Sequence, residues 1–268
     1  MIDTDIQVSL RQKFNPENSI LRLHQLRMLE MLKVIDQVCK DNNITYWLSS
    51  GTCLGAIRHG GFIPWDDDLD IEMYHKDYRR FVKLMKRLSL PNIVFQTHGS
   101  DCEYFAPYGK IRDQKSLIEE FNKHDIFYKY RGVYIDVFAV ERNGSRILSR
   151  ISGGLINRIV FPLSKIHNKY LRRIFTQPLY FLFAKCTFPV LSMITYPIGK
   201  KLRISHGSGF VVPRYEEDIL PTIEVPFEGV MLPVPHNYHH YLSVLYGDYM
   251  KIPDMNNLHT HSSNVKLY

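Results

Sequence analysis

Hydrophobic positions recur at helical spacing through the first forty residues. Ile20, Leu23, Met28, Met31, Val34, Ile35 and Val38 predict a helix over residues 15–40, with Asn15 as its cap and Pro16 at its first position. Asp41-Asn42-Asn43 ends it, and residues 44–49 predict a strand. Small residues over 51–59 predict a short helix, which Gly60-Gly61 terminates. Across 68–73 polar and apolar residues alternate, the period of a half-buried strand. Tyr78, Phe81, Val82, Met85 and Leu88 then mark an amphipathic helix over 75–88. Further strands are expected at 93–97, 108–112 and 134–140. The last is apolar apart from Asp136, as in a strand at mid-sheet, so that carboxylate needs a partner. To Val140 the pattern is that of an α+β fold, a mixed β-sheet flanked by helices.

Beyond that point the pattern changes. Ile147, Ile151, Leu155 and Ile159 alternate with Arg146, Arg150 and Arg158 as in a basic amphipathic helix. Residues 178–198 are long and apolar, approaching a membrane span in length, but Lys185, Pro189 and Pro197 interrupt them. Two buried helices, a half-inserted interfacial element and a true span are all compatible with that run. After Arg214 the chain turns proline-rich, with a short helix at 236–246. The expected organisation is therefore a catalytic domain built from 1–141 and 216–268, with 142–215 inserted as a basic, largely helical element.

Charge sharpens this division. The formal net charge is +7, yet 142–215 holds thirteen Lys or Arg and no Asp or Glu. The remainder carries 21 basic residues against 27 acidic. All the net positive charge thus comes from one internal segment, which suits an anionic membrane surface or nucleic acid. No nucleic acid is expected, because no RNA-binding motif interleaves aromatic residues with those charges. The four cysteines (Cys39, Cys53, Cys102, Cys186) form no C-x-x-C pair, and no apolar leader is present at the N-terminus. A cytoplasmic protein, peripheral at the inner face of the membrane, is the expectation.

The candidate chemistry lies between Ser50 and Met73. Strand parity puts Asp66, Asp68, Asp70 and Glu72 on one face, and Asp67, Leu69, Ile71 and Met73 on the other. Carboxylates this close raise one another's pKa unless a cation neutralises them, and Mg2+ prefers such oxygens, completed by substrate phosphates and water. The turn Ser50-Gly51-Thr52 follows a strand and opens a helix, aiming backbone N–H groups at an anion. Lys110 and Arg112 share a strand face and could reach phosphate. Asp136 could complete a metal site, take a proton from an acceptor, or pair with Arg58 or Lys110. His236, His239, His240, His259 and His261 have no compact zinc spacing and no accompanying cysteine.

A glycine turn, then D-h-D-h on one strand (h apolar), then an acid on another strand resembles the nucleotidyltransferase superfamily. The run G-T-C-L-G-A-I-R-H-G-G-F-I-P-W-D-D-D-L-D-I at 51–71 is more specific. It resembles the LicD family, which includes fukutin and fukutin-related protein; Cys53 stands where that family usually has leucine. Y-G-K-I-R-D at 108–113, G-V-Y-I-D-V-F at 132–138 and Y-G-D-Y-M at 246–250 resemble later blocks of the same family. The resemblance implies transfer of a phospho-alcohol, foremost phosphocholine, from a CDP-activated donor (CDP-choline, CDP-ribitol or CDP-glycerol). The acceptor would be a sugar hydroxyl of a surface glycan or lipid-linked glycan, with release of CMP. It further implies that Asp66, Asp68 and Asp70 hold Mg2+ or Mn2+, and that Asp68, Asp70 and Asp136 are catalytic. Gly51, Thr52, Arg58, His59, Lys110 and Arg112 would contact the donor. A nucleotidyltransferase moving a nucleoside monophosphate to a small molecule or RNA, and a non-catalytic glycan binder, are the competing readings.

Overall fold

The computed structural model describes residues 2–197, 201–254 and 262–268. Helix α1 (Thr4–Phe14) opens the chain and α2 (Ile20–Asp41) follows. The helix expected over 15–40 therefore starts at Ile20. Ser19 caps it, its hydroxyl accepting from the Arg22 amide, while Asn15 ends α1. α1 buries no residue fully, so it lacks the apolar stripe by which a helix is recognised.

Strand β1 (Tyr46–Leu48) leads through α3 (Ser50–His59) to β2 (Asp70–Tyr74), and α4 (His75–Met85) follows. β3 (Ile93–Gln96), β4 (Gly109–Asp113), β5 (Ser116–Glu120) and β6 (Tyr134–Arg142) come next. The principal sheet has the order β1-β2-β6-β4-β3. β2 and β6 run parallel, and the other pairs in that order are antiparallel. Parity then sorts the side chains. Leu48, Ile71, Met73, Ile111, Ile135 and Val137 face the main core with Met28, Leu32 and Ile35 of α2 and Phe81 of α4. Asp70, Glu72, Lys110, Arg112 and Asp136 share the opposite face.

The segment after β6 is mainly helical over 146–195, with a break at 165–168. α5 (Arg146–Leu155) runs through a π turn (Ile156–Val160) into α6 (Phe161–Ser164). α7 (Lys169–Phe181), a second π turn (Leu182–Thr187) and α8 (Phe188–Thr195) form one 27-residue helix. Both π turns precede a proline, Pro162 and Pro189, whose missing N–H they accommodate without ending the helix. This long helix is not a buried core element: only 22% of its most apolar window is buried. It is long and apolar enough to cross a membrane by length and composition alone. Phe105, Ile156, Val160, Tyr180, Phe183 and Phe188 make a small separate core beneath it.

The chain then returns to the sheet. β7 (Lys201–Ile204) pairs with the end of β6, and β8 (Arg214–Tyr215) pairs with β7. The closing part of 142–215 is thus strand. α9 (Glu216–Ile219), the hairpin β9 (Ile223–Phe227) and β10 (Val230–Val234), and α10 (Tyr238–Tyr246) follow. β11 (Ser262–Leu267) pairs with β5.

Candidate active site

The polar face of the sheet opens into a cleft of about 660 Å3. Asp66, Asp68, Asp70 and Asp136 line it, with Ser50, Gly51, Lys110 and Arg214. Regular strand begins only at Asp70, so Asp66 and Asp68 project from the extended segment leading into β2. Register brings the distant acid in. Asp70 and Asp136 are direct partners in the parallel β2–β6 ladder, and Lys110 is the partner of Asp136 across β4.

The electrostatics follow from crowding. Burial and the neighbouring carboxylates, first Asp68 and then Asp136 and Asp66, hold the Asp70 carboxyl well above the usual range. Asp66 is raised likewise by burial and by Asp68, with which it shares a side-chain hydrogen bond. Asp136 is raised by burial, opposed chiefly by Lys110. Lys110 Nζ lies 2.8 Å from Asp136 Oδ1. Both side chains are buried, and this contact is what opposes the rise of the Asp136 carboxyl. Lys110 Nζ also sits 3.3 Å from the Tyr134 ring centroid.

The donor set is all oxygen and strongly anionic, which fits a hard divalent cation. Among the described residues no three His, Cys, Asp or Glu side chains are already drawn together as a cage. Mg2+ rarely uses such cages, taking one or two carboxylates and completing its shell with water and substrate phosphate. His240 pairs with Asp218 (2.6 Å) and His239 with the Tyr249 hydroxyl, while His259 and His261 lie outside the described residues.

Several side chains hold this face in place. Gly51 lets the chain pass close to Asp66, because a Cβ there would sit 3.1 Å from Asp66 Oδ2. Thr52 does not line the cleft; its hydroxyl accepts from the Asp70 amide at 2.8 Å and pins the start of β2. Gln25, fully buried on α2, donates to the carbonyls of Asp66 (2.9 Å) and Ile63 (3.3 Å). Glu72 shares the parity of the cleft acids but is buried, bonded to Arg214 (2.6 Å), Trp47 (3.1 Å) and Tyr241 (3.3 Å).

Arg58 and His59 do not meet the cleft. Both are buried at the C-terminal end of α3, whose N-terminal end carries Ser50 and Gly51. Ten helical residues separate those ends by roughly 15 Å. Arg58 Nη1 donates to the carbonyls of Tyr249 (2.8 Å) and Lys251 (3.1 Å), and Nε donates to His59 Nε2 (2.9 Å). His59 Nδ1 in turn donates to Gln7 Oε1. Burial, then Arg58 and Arg11, push the His59 pKa down to about 3. The donor contact implied for this pair gives way to a structural one, tying α3 to the Y-G-D-Y-M block. Arg112 is likewise occupied, with Gln96 (2.8 Å), the Gly132 carbonyl (2.9 Å) and Glu120 (3.4 Å).

Sequence reasoning missed Gln25, Arg214 and an aromatic lining of Tyr108, Tyr134, Phe138, Phe210 and Tyr246. Tyr108, Tyr134, Phe138 and Tyr246 carried a signal, since they sit inside the later family-like blocks; Phe210 did not. Beside Lys110 the cleft continues into a second chamber of about 360 Å3, lined in part by Tyr104, Tyr128, His124 and Glu120.

Known proteins share this arrangement of sequence. The family described as LicD/FKTN/FKRP, nucleotidyltransferase domain, matches residues 43–174. The lipopolysaccharide cholinephosphotransferase LicD of Haemophilus influenzae is 29% identical over 265 aligned positions, covering 87% of this chain and 92% of that protein. Mouse ribitol-5-phosphate transferase FKTN is 30% identical over 123 residues, 44% of this chain and 24% of that protein. An uncharacterised Rickettsia typhi protein is 45% identical over 111 residues, 39% of this chain and 36% of its own length. The matched region contains α3, the acidic segment, β2, β4 and β6, so the strands that build the cleft are the shared part, and over residues 43–174 this chain carries a LicD-family domain.

Proposed function

We propose that the protein transfers a phospho-alcohol group, foremost phosphocholine, from a CDP-activated donor to a sugar hydroxyl of a surface glycan. The observation that carries this reading is the pairing of Asp70 with Asp136 beside Lys110, within a cleft bounded by Asp66 and Asp68. The relatives named for transferring cholinephosphate and ribitol phosphate support the class of group moved. Five aromatic side chains around the cleft suit a quaternary ammonium, which favours phosphocholine over ribitol phosphate.

In this reading Asp66, Asp68 and Asp70 hold Mg2+ or Mn2+, which supplies charge neutralisation at the donor phosphates. Lys110 adds a fixed cation next to the transferred phosphoryl group. Asp136, its carboxyl raised by burial, takes the proton from the acceptor hydroxyl as that oxygen bonds to phosphorus. The bond from phosphorus to CMP breaks, and CMP leaves with the electron pair. Arg214, its charge paired with Glu72 and its Nη1 on the Val212 carbonyl, forms a fixed wall on the nucleotide side.

The exposed cations of the helical segment, among them Arg146, Arg150, Arg158, Lys169 and Lys185, together with its outward apolar residues, suit peripheral docking on an anionic membrane. A lipid-linked acceptor would be delivered from that surface, on the cytoplasmic side. CMP release should be measured with CDP-choline, CDP-ribitol and CDP-glycerol, with Mg2+ and then with chelator. Release from CDP-choline that chelator stops is the expected result. Pyrophosphate release from a nucleoside triphosphate, with none of the three donors used, would transfer the assignment to nucleotidyl transfer.

A further inference from the structure

A second large groove, of about 730 Å3, lies outside the catalytic cleft and shares no lining residue with it. One wall is the long helix Lys169–Thr195; the others come from α4, the end of β6 and the turn after β7. The helix presents Tyr180, Ala184, Phe188 and Ser192 to the groove, a stripe at four-residue spacing. Tyr78 and Pro107 close the opposite side, making the interior largely apolar.

The rim and the outside of the same helix narrow the choice of occupant. Arg79 and Lys185 line the groove and are exposed to solvent. Among the described residues the one carboxylate there, Glu141, is engaged by the Ser192 hydroxyl at 2.9 Å and approached by His75 at 3.9 Å. The groove is therefore apolar inside and net positive at its edge. Met193, 77% exposed, and Tyr196, 59% exposed, line it as well and continue into the bare apolar outer face with Phe181, Leu182, Val190 and Ile194. Apolar side chains so arranged are exposed to water at a cost unless another phase covers them. A ligand with a hydrocarbon chain and an anionic head, supplied from the phase the helix lies against, satisfies every part of this geometry.

We propose that this groove seats one hydrocarbon chain of an anionic membrane lipid along the Tyr180–Ala184–Phe188 stripe, with its phosphate between Arg79 and Lys185. The proposal rests on the docking reading above, and it adds a discrete lipid site to a diffuse surface attraction. Full-length protein should be titrated with monomeric short-chain phosphatidylglycerol below its critical micelle concentration, with stoichiometry read by native mass spectrometry. Phosphatidylcholine of the same chain length and glycerol 3-phosphate serve as comparators. Saturable one-to-one binding of phosphatidylglycerol is expected, at least tenfold tighter than either comparator. Ala184→Trp, which fills the groove, should abolish that binding yet leave sedimentation with phosphatidylglycerol vesicles unchanged. Arg79→Glu with Lys185→Glu, surface changes that spare the fold, should remove the preference for phosphatidylglycerol over phosphatidylcholine. Equal binding of glycerol 3-phosphate, or unchanged binding by both variants, would overturn the lipid site. Monomer binding without vesicle sedimentation would overturn the docking reading and leave the groove assignment standing.

Discussion

Asp70 and Asp136 illustrate how one residue's neighbours decide its chemistry. Neither would be unusual alone, but ladder register places them side by side and burial removes the water that would separate their charges. Asp68→Asn or Asp70→Asn should lower CMP release by at least about 10²-fold while leaving circular dichroism unchanged, because no core contact is lost. A raised carboxyl pKa also predicts a direction for metal affinity. Protons and Mg2+ compete for Asp66 and Asp70, so the Mg2+ dependence of the rate should tighten as pH rises from the acid side through neutrality. A metal requirement that is flat across that range would contradict the assignment. Gln25 acts on the same residues from behind. Gln25→Leu should cost about 1–3 kcal/mol of stability by stranding two buried carbonyls. It should also lower kcat more than it raises KM, since Asp66 loses its support while the nucleotide side of the cleft is untouched.

At the scale of elements, α3 separates two jobs that its short sequence compresses together. Its first turn lies at the cleft and its last turn is a clamp. Arg58 reaches the backbone at Tyr249 and Lys251, and the hairpin tip at Glu228 closes on the Gly60-Gly61 turn. Arg58→Met should therefore reduce stability by about 2–3 kcal/mol and leave donor KM close to that of the parent. A large rise in KM with unchanged melting would return Arg58 to the donor site. His59 adds a pH signature. It is neutral in the folded protein, with a pKa near 3, whereas an unfolded histidine titrates near 6.5. Between those values the unfolded state binds the extra proton, so stability is full above pH 6.5 and falls as pH drops toward 3. Denaturant titrations at pH 7, 5.5 and 4.5 should show that fall, and His59→Gln should make it shallower, with His24, pushed down to about 4 by burial, contributing to what remains.

Across the whole molecule, the acidic cleft and the basic helical segment are parts of one sheet-centred body. Of the thirteen basic residues in 142–215, Arg172, Arg203 and Arg214 are buried and serve internal ion pairs or carbonyls. Arg142 and Arg173 are paired with Glu216 and Glu103. The charge available to a membrane is thus smaller than composition suggests, though among the described residues Arg146, Arg150, Arg158, Lys165, Lys169, Lys185 and Lys201 are exposed. Sedimentation with anionic vesicles should weaken steeply between 50 and 300 mM salt, as screening shortens the reach of the charges to about 10 Å or less. Binding to neutral vesicles of equal strength at low salt would contradict the electrostatic part of docking.

The sequence by itself determined the elements near the cleft and the sorting of its acids. Period-two parity and a strong family-like block are local signals, readable wherever neighbours in the chain are neighbours in space. It could not show that Asp136 faces Asp70, because strand register is a long-range pairing. The family resemblance implied a donor contact for Arg58 and His59, and neither lines the cleft, because the length of a helix is hidden in a motif of adjacent letters. The 178–198 run was equally undecided from composition, as prolines that break one helix are absorbed by a π turn in another. Tertiary structure decided these points for one physical reason. Whether a charge is used or merely satisfied depends on which buried groups lie within hydrogen-bonding reach, and packing alone sets that distance.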